Sequence, residues 1–207
     1  VSQSVLAAFA HIGGHLGAAR AWRVPHDGVC DLLPVVALAE RDHRRRPGER
    51  LPRMLGLLAW GLLNEERVAE ARAAAERGIA LATEAGVPAP REVLETAGLA
   101  AWKAGDLAVG LDHIEGVYLR AVEQGDASTQ ISTLANLAGM ARTLGDRATW
   151  RRVLDEAFAT TQRSGLTFGL PLLRVRQAQL LVQDGQPAAA LAELRRALAL
   201  LPPGERW

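Results

Sequence analysis

The chain of 207 residues can form one substantial domain, and its formal net charge of +1 gives no overall field that would attract nucleic acid or an anionic membrane. Apolar residues make up 49% of the chain, mostly alanine and leucine, a composition typical of close-packed helices. No apolar run approaches the ~20 residues of a membrane-spanning helix, and the single cysteine excludes an internal disulfide framework and favours the reducing cytoplasm.

Residues 1–48 are predicted to form an irregular helical lead-in. Asp31 is a suitable N-cap for a helix that ends near His43, just before the run Arg-Arg-Arg-Pro-Gly at 44–48. Basic residues in a last turn complement the helix dipole, and Pro-Gly ends the helix. We therefore interpret the arginine run as a solvated helix end rather than as a nucleic-acid site.

Residues 49–207 are predicted to form one domain of helical repeats. Helices are expected at 51–63 and 67–84, and glycines then recur in two interleaved series. Inner turns fall at Gly105, Gly145 and Gly185, each 40 residues after the one before, and outer stops fall at Gly86, Gly125 and Gly165, 39 and 40 residues apart. A fixed period of this size predicts stacked helix pairs, because one hairpin cannot bury its own apolar face.

Large and small residues alternate along these helices. The members of the pattern are Leu94, Ala97, Gly98 and Ala101, then Leu134, Leu137, Ala138 and Ala141, then Ala190, Leu194 and Ala197. Over residues 50–203 the pattern resembles the tetratricopeptide repeat (TPR), whose usual period is about 34 residues. The resemblance implies an all-α solenoid of antiparallel helix pairs, here with a period of about 40, that binds other proteins and is not an enzyme.

Two phrases, ATEAGV at 82–87 and AVEQGD at 121–126, are similar to the repeat regions of LuxR-type ATP-binding regulators and related signal-transduction ATPases. Arginine supplies every basic residue except Lys103, which indicates a GC-rich bacterial genome. The resemblance therefore implies a regulatory segment of a bacterial transcriptional or signalling protein.

In a TPR-like solenoid the first helix of each pair lines a concave groove that binds peptides. The candidates are Arg53, Trp60, Glu95, Leu99, Trp102, Lys103, Arg142, Val175, Gln179 and Val182. Tryptophan and arginine are frequent hot-spot residues in interfaces, although both tryptophans could instead pack between repeats. The alternative function is a small-molecule inducer site in the same groove, with Leu99, Trp102, Val175 and Val182 as its apolar lining.

Four potential metal ligands lie near the N-terminus. His11 and His15 are four residues apart, as are His26 and Cys30, and nitrogen and sulfur ligands suit tetrahedral zinc. Glycine and proline interrupt both pairs, so we favour ordinary structural roles for them, with a metal-dependent helical enzyme as the rival of a different class. The sequence has no phosphate-binding loop and no nucleophile elbow, and neither a cofactor nor a catalytic residue is predicted.

The final helix is predicted from residue 187 to residue 201, with leucines at 191, 194, 198 and 201 on one stripe. Alanines at 188, 189, 192 and 199 broaden the apolar surface beyond what one preceding hairpin can bury. We therefore expect this end either to self-associate or to pack against further repeats or other domains of the same polypeptide.

Overall fold

The computed structural model describes residues 28–201, and every regular element within that range is an α-helix. The nine helices of the described residues are α1 (Gly28–Arg45), α2 (Arg50–Asn64), α3 (Val68–Glu84), α4 (Arg91–Lys103), α5 (Leu107–Glu123), α6 (Ala127–Leu144), α7 (Arg147–Ser164), α8 (Leu170–Gln183) and α9 (Pro187–Ala199). From α2 onward they form four pairs, each joined by a turn of two or three residues. The predicted pairing of helices is therefore confirmed.

Glycines in the left-handed backbone region separate the helices. All six glycines of the two predicted series have positive φ, from 65° at Gly86 to 92° at Gly105. Only glycine enters this region without steric cost, which is why the spacing of these residues marked the ends of helices. In the first pair the inner turn instead holds Glu66 at φ 59°, the only non-glycine residue with positive φ in the described range.

Helix α1 differs from its prediction at its start. The helix begins at Gly28, so Asp31 lies inside its first turns and the N-cap assignment is wrong. The physical reason is tertiary: Val29 is buried, and its Cγ2 lies 3.2 Å from the position that a Cβ on Gly61 of α2 would take. Packing of α1 on α2 extends the helix beyond the local capping signal.

The described residues divide into two compact units, the N-terminal unit 28–117 and the C-terminal unit 118–201, with the boundary inside α5. In the N-terminal unit α1 packs on α2, α2 on α3 and α3 on α4. Helix α2 also packs on α4, the first helix of the following pair. Glycine allows close approach here. A Cβ on Gly56 of α2 would lie 2.7 Å from the backbone nitrogen of Val93 in α4.

In the C-terminal unit α6 packs on α7, α7 on α8 and α8 on α9, and α6 also packs on α8. Asp126 and Asp146 cap α6 and α7, with carboxylates that accept hydrogen bonds from the backbone N–H of Thr129 and Thr149. The cap lowers the pKa of Asp146, because the hydrogen bond from Thr149 stabilises its ionised form. The core of the last pair is Val175, Ala178, Ala190, Leu194 and Ala197.

The last helix, α9, ends at Ala199, two residues earlier than predicted. Leu194 and Leu201 of the predicted leucine stripe are buried, and Leu191 and Leu198 are half-buried. The exposed part of α9 is instead its alanine face, formed by Ala188, Ala189, Ala192 and Ala199. Self-association through this helix stays a prediction.

Candidate partner-binding surfaces

Six of the predicted groove residues lie in the N-terminal unit, on α2 and α4. Trp60 and Trp102 are half-buried, Arg53 and Lys103 are exposed, and Glu95 is half-buried. Leu99 is only 7% exposed and belongs to the core. We call the packed first helices with their exposed side chains the α2–α4 surface.

The charged groups of the α2–α4 surface are paired with each other. The Nη2 of Arg53 lies 3.5 Å from the Oε2 of Glu49, and its Nε lies 3.7 Å from the Oε2 of Glu92. The Nζ of Lys103 donates to the Oε1 of Glu66 at 3.0 Å. Each such exposed pair contributes only about 0–1 kcal/mol to stability. Because of these ion pairs, few charged side chains on the α2–α4 surface lack an oppositely charged partner.

Glu95 is the most enclosed carboxylate on this surface, with 14% of its side chain exposed. Burial raises the pKa of Glu95, because desolvation disfavours the ionised carboxylate, and Glu92 adds to that effect. Arg91, 3.8 Å away on the preceding turn of α4, opposes it. Glu95 therefore already forms an ion pair with Arg91 of its own helix in the free chain.

The other four predicted residues lie in the C-terminal unit, on α6 and α8, and here the pattern differs. Arg142 is exposed, Gln179 and Val182 are half-buried, and Val175 is 3% exposed in the core of the last pair. We call the exposed and half-buried side chains of these two packed helices the α6–α8 surface. Val175, like Leu99, is not part of a surface that a partner could contact.

Arg176 is the residue of this surface that the sequence analysis missed. It lies one helical turn before Gln179 on α8, and its Nη1 donates to the Oε1 of Gln179 at 3.2 Å. The Nε of Arg176 is covered by protein and has no hydrogen-bond partner. Burial, and secondarily the positive charge of Arg142, lower the pKa of Arg176 to about 10. No local sequence signal marks it, because its burial and the influence of Arg142 depend on residues of other helices.

Neighbouring Arg174 on the same helix has a carboxylate partner, although its Nε, like that of Arg176, is covered by protein and has no hydrogen-bond partner. Its Nη1 donates to the Oε2 of Glu193 on α9 at 2.7 Å, and both side chains are largely buried. This ion pair joins α8 to α9. Across residues 28–201 neither Arg142 nor Arg176 has such a carboxylate partner.

Clefts occur in both units of the described residues. One of about 500 Å³ lies at the α1–α2 turn beside His43, Arg45 and Arg50, and one of about 720 Å³ lies against Tyr118 and Glu156. Neither is lined by the four apolar residues proposed for an inducer site, two of which are buried.

The zinc hypothesis lies outside the described residues, since His11, His15 and His26 precede residue 28 and Cys30 is in the first turn of α1. Between residues 28 and 201 no three histidine, cysteine, aspartate or glutamate side chains come together as metal ligands. Within the same range no helix has the length and apolar character needed to cross a membrane.

Comparison with protein-family descriptions finds no match, and no curated protein matches the sequence. Solved structures do match, among them nearly identical TPR-like repeats described as a kinesin light chain of Podosopora anserina and a single-substitution variant of the same repeats. They superpose with TM-scores of 0.62 and 0.63 at 15% identity, covering 94% of this chain and 93% and 91% of theirs. This likeness establishes the fold, and the predicted all-α, TPR-like solenoid of helix pairs is confirmed.

Proposed function

We propose that this chain is a non-catalytic interaction module that binds a protein or peptide through the first helices of its pairs, and that the α6–α8 surface is the principal site. TPR-like repeats generally mediate protein–protein interaction, and the fold of this chain is of that kind. The α2–α4 surface, with Trp60 and Trp102, is the second contact region of the proposal.

The observation that carries the proposal is the uncompensated charge of the α6–α8 surface. Arg176 is held in a largely buried position beside a second arginine, and its hydrogen-bond partner Gln179 is neutral. A buried charge without a counterion destabilises the folded chain, so a structural role alone does not account for it. Groups that destabilise a fold in this way are typical of binding sites.

A selection from a displayed library of random peptides tests the proposal with the purified chain as bait. We expect selected peptides to bind wild-type protein and to be lost when Val182→Asp places a carboxylate on the α6–α8 surface. The matched control is Val122→Asp on α5, which makes the same change at a valine that is 47% exposed. Failure to select any peptide, or equal binding to the Val182→Asp and Val122→Asp variants, would contradict this surface as the binding site.

We further propose that the module acts in the bacterial cytoplasm as a segment of a transcriptional or signalling regulator. The support is the similarity of the phrases at 82–87 and 121–126 to the repeat regions of LuxR-type regulators and signal-transduction ATPases. Sequencing the surrounding reading frame tests it. An ATPase module upstream or a helix-turn-helix domain downstream in the same frame is the expected result, and a frame without either would refute it.

A further inference from the structure

We propose that the cleft at the α1–α2 turn binds the phosphate group of a small phosphorylated molecule. The residues that line it belong to the N-terminal unit, whereas the α6–α8 surface of the proposed function belongs to the C-terminal unit. The cleft has a volume of about 500 Å³, which is within the ordinary range of small-molecule sites. Its polar lining comes from the end of α1 and the start of α2.

Two arginines that line the cleft have no carboxylate partner. Arg45 and Arg46 are exposed, and within residues 28–201 neither side chain forms an ion pair or a hydrogen bond. Arg50 differs, because its Nη1 donates to the Oδ2 of Asp42 at 2.8 Å and the two charges compensate each other. The cleft therefore retains the positive charge of two guanidinium groups.

The surroundings of the cleft do not supply the missing counterion. The Oε1 of Glu40 lies 2.7 Å from the Nη2 of Arg77, and the Oε2 of Glu49 lies 3.5 Å from the Nη2 of Arg53. The C-terminus of a helix carries the equivalent of about half a negative charge, which is less than the charge of one arginine. The dipole of α1 accounts for the position of the arginines at its end but leaves most of their charge uncompensated.

The number of hydrogen-bond donors matches a phosphate better than a carboxylate. A phosphate ester has a charge of about −1.5 to −2 near pH 7 and three terminal oxygens that accept hydrogen bonds, whereas a carboxylate has one charge and two oxygens. A guanidinium group can donate to two of these oxygens at once. Arg45 and Arg46 supply two such groups, and half-buried His43 adds a ring N–H to the lining.

The shape of the cleft favours a small molecule over a nucleic acid. A duplex is bound along an extended row of cations on the protein surface. A concave site with apolar side chains on its inner side can instead hold one phosphate group together with the rest of a small molecule. Ala39 and Leu51, which are 2% and 3% exposed, form that inner side here.

Asp42 gives a test in which binding should improve. It is the one carboxylate among the described residues that line the cleft, and it both repels an anion and holds Arg50. Asp42→Asn removes the negative charge and releases the guanidinium group, so a phosphate should bind about fivefold more tightly. A cleft without an anion site would show no such gain.

Isothermal titration calorimetry of the full chain tests the site with inorganic pyrophosphate at neutral pH and constant ionic strength. We expect binding to wild-type protein and a loss of about tenfold or more in Arg45→Gln and in Arg46→Gln, because each removes one hydrogen-bonded charge pair. Both side chains are exposed, so the variants should keep the fold. The matched control is Arg44→Gln, the same change at an exposed arginine outside the cleft lining, which should stay within about twofold of wild type.

Citrate and duplex DNA are the two comparison ligands, and pyrophosphate should bind more tightly than either. Citrate carries a similar charge at neutral pH on carboxylates, so equally tight binding of citrate would refute phosphate recognition. Tighter binding of DNA would refute a small-molecule site. The absence of pyrophosphate binding, or an equal loss in Arg44→Gln, would overturn the whole proposal. The peptide selection remains a separate test, because it examines the α6–α8 surface with other ligands and other variants.

Discussion

The second and third helix pairs fill the same repeat positions in opposite ways. In α4–α5 the two positions are Gly98 and Gly110, and 40 residues later, in α6–α7, they are Ala138 and Trp150. A Cβ on Gly110 would lie 2.9 Å from the carbonyl oxygen of Gly98, so the two backbones approach closely there. Trp150, by contrast, is 1% exposed and heads the fully buried side chains of the described residues by volume.

The difference shows that the repeat fixes where two helices face each other and leaves open how the space is filled. Glycine at both positions brings backbone against backbone, whereas tryptophan opposite a small residue fills the gap with a side chain. The glycine pair should be intolerant of added atoms, and the tryptophan pair should also be intolerant of lost ones. Three substitutions examine this contrast, and a fourth examines the inner turn of the first pair.

Removing the large side chain should have the largest effect. Trp150→Ala leaves a cavity in α6–α7 and should lower the free energy of unfolding by about 3–5 kcal/mol, measured by chemical denaturation followed by circular dichroism. Trp150→Phe should cost much less, because it keeps a ring and removes an indole N–H that has no hydrogen-bond partner. Equal losses in the two variants would show that the indole N–H, rather than volume, matters at this position.

Filling the small position of the same pair should be nearly as damaging. Ala138 has no exposed surface, so Ala138→Trp forces α6 away from its neighbours and should cost about 3 kcal/mol in denaturant titration. Ala192→Trp on the exposed face of α9 makes the same change outside the core and should stay within about 0.5 kcal/mol of wild type. Similar melting of both variants would contradict the inside and outside assignments.

Adding one methyl group tests the glycine pair. A Cβ at position 110 would also meet the backbone nitrogen of Trp102 at 3.0 Å, so Gly110→Ala should cost about 1–3 kcal/mol although alanine favours helix. Gly116→Ala is the control on the same helix, with no atom within 4 Å of the new Cβ. It should stabilise the chain by about 0.5–1 kcal/mol. A stabilising Gly110→Ala would mean that the helices separate freely.

The smallest effect concerns the inner turn of the first pair, the position where later pairs have glycine. Glu66→Gly relieves a left-handed backbone and removes the ion pair with Lys103, and a net gain of about 0.5 kcal/mol in thermal or chemical unfolding is expected. The converse change, Gly105→Ala, should destabilise the second pair. A loss of stability in Glu66→Gly would show that the ion pair outweighs the backbone strain.

The sequence predicted helix pairs and turns well because their signals are local. A glycine with positive φ ends a helix whatever surrounds it, so the two glycine series located the turns from Gly86 to Gly185. The start of α1 was missed because Val29 packs on α2, and Glu66 was not recognised as the counterpart of Gly105 because its backbone conformation has no signature in its side chain.

The candidate site was less predictable, because burial and pairing depend on neighbours distant in sequence. Periodicity placed Leu99 and Val175 among the groove residues, but both face the core. It passed over Arg176, whose importance comes from the absence of a carboxylate beside it and the presence of Arg142 on another helix. Identifying an unpaired charge requires the positions of all its neighbours, and a one-dimensional pattern does not contain them.

Lys103, the last residue of α4, gives the chain a built-in reporter of local opening. It is the only lysine, so a lysine-specific protease can cut at a single peptide bond, between residues 103 and 104. The amide of Ala104 at that bond donates to the carbonyl oxygen of Ala100 at 2.9 Å, and the end of the helix must unwind before the bond can enter a protease. The rate of that one cut therefore measures how often the turn between α4 and α5 opens in the folded protein.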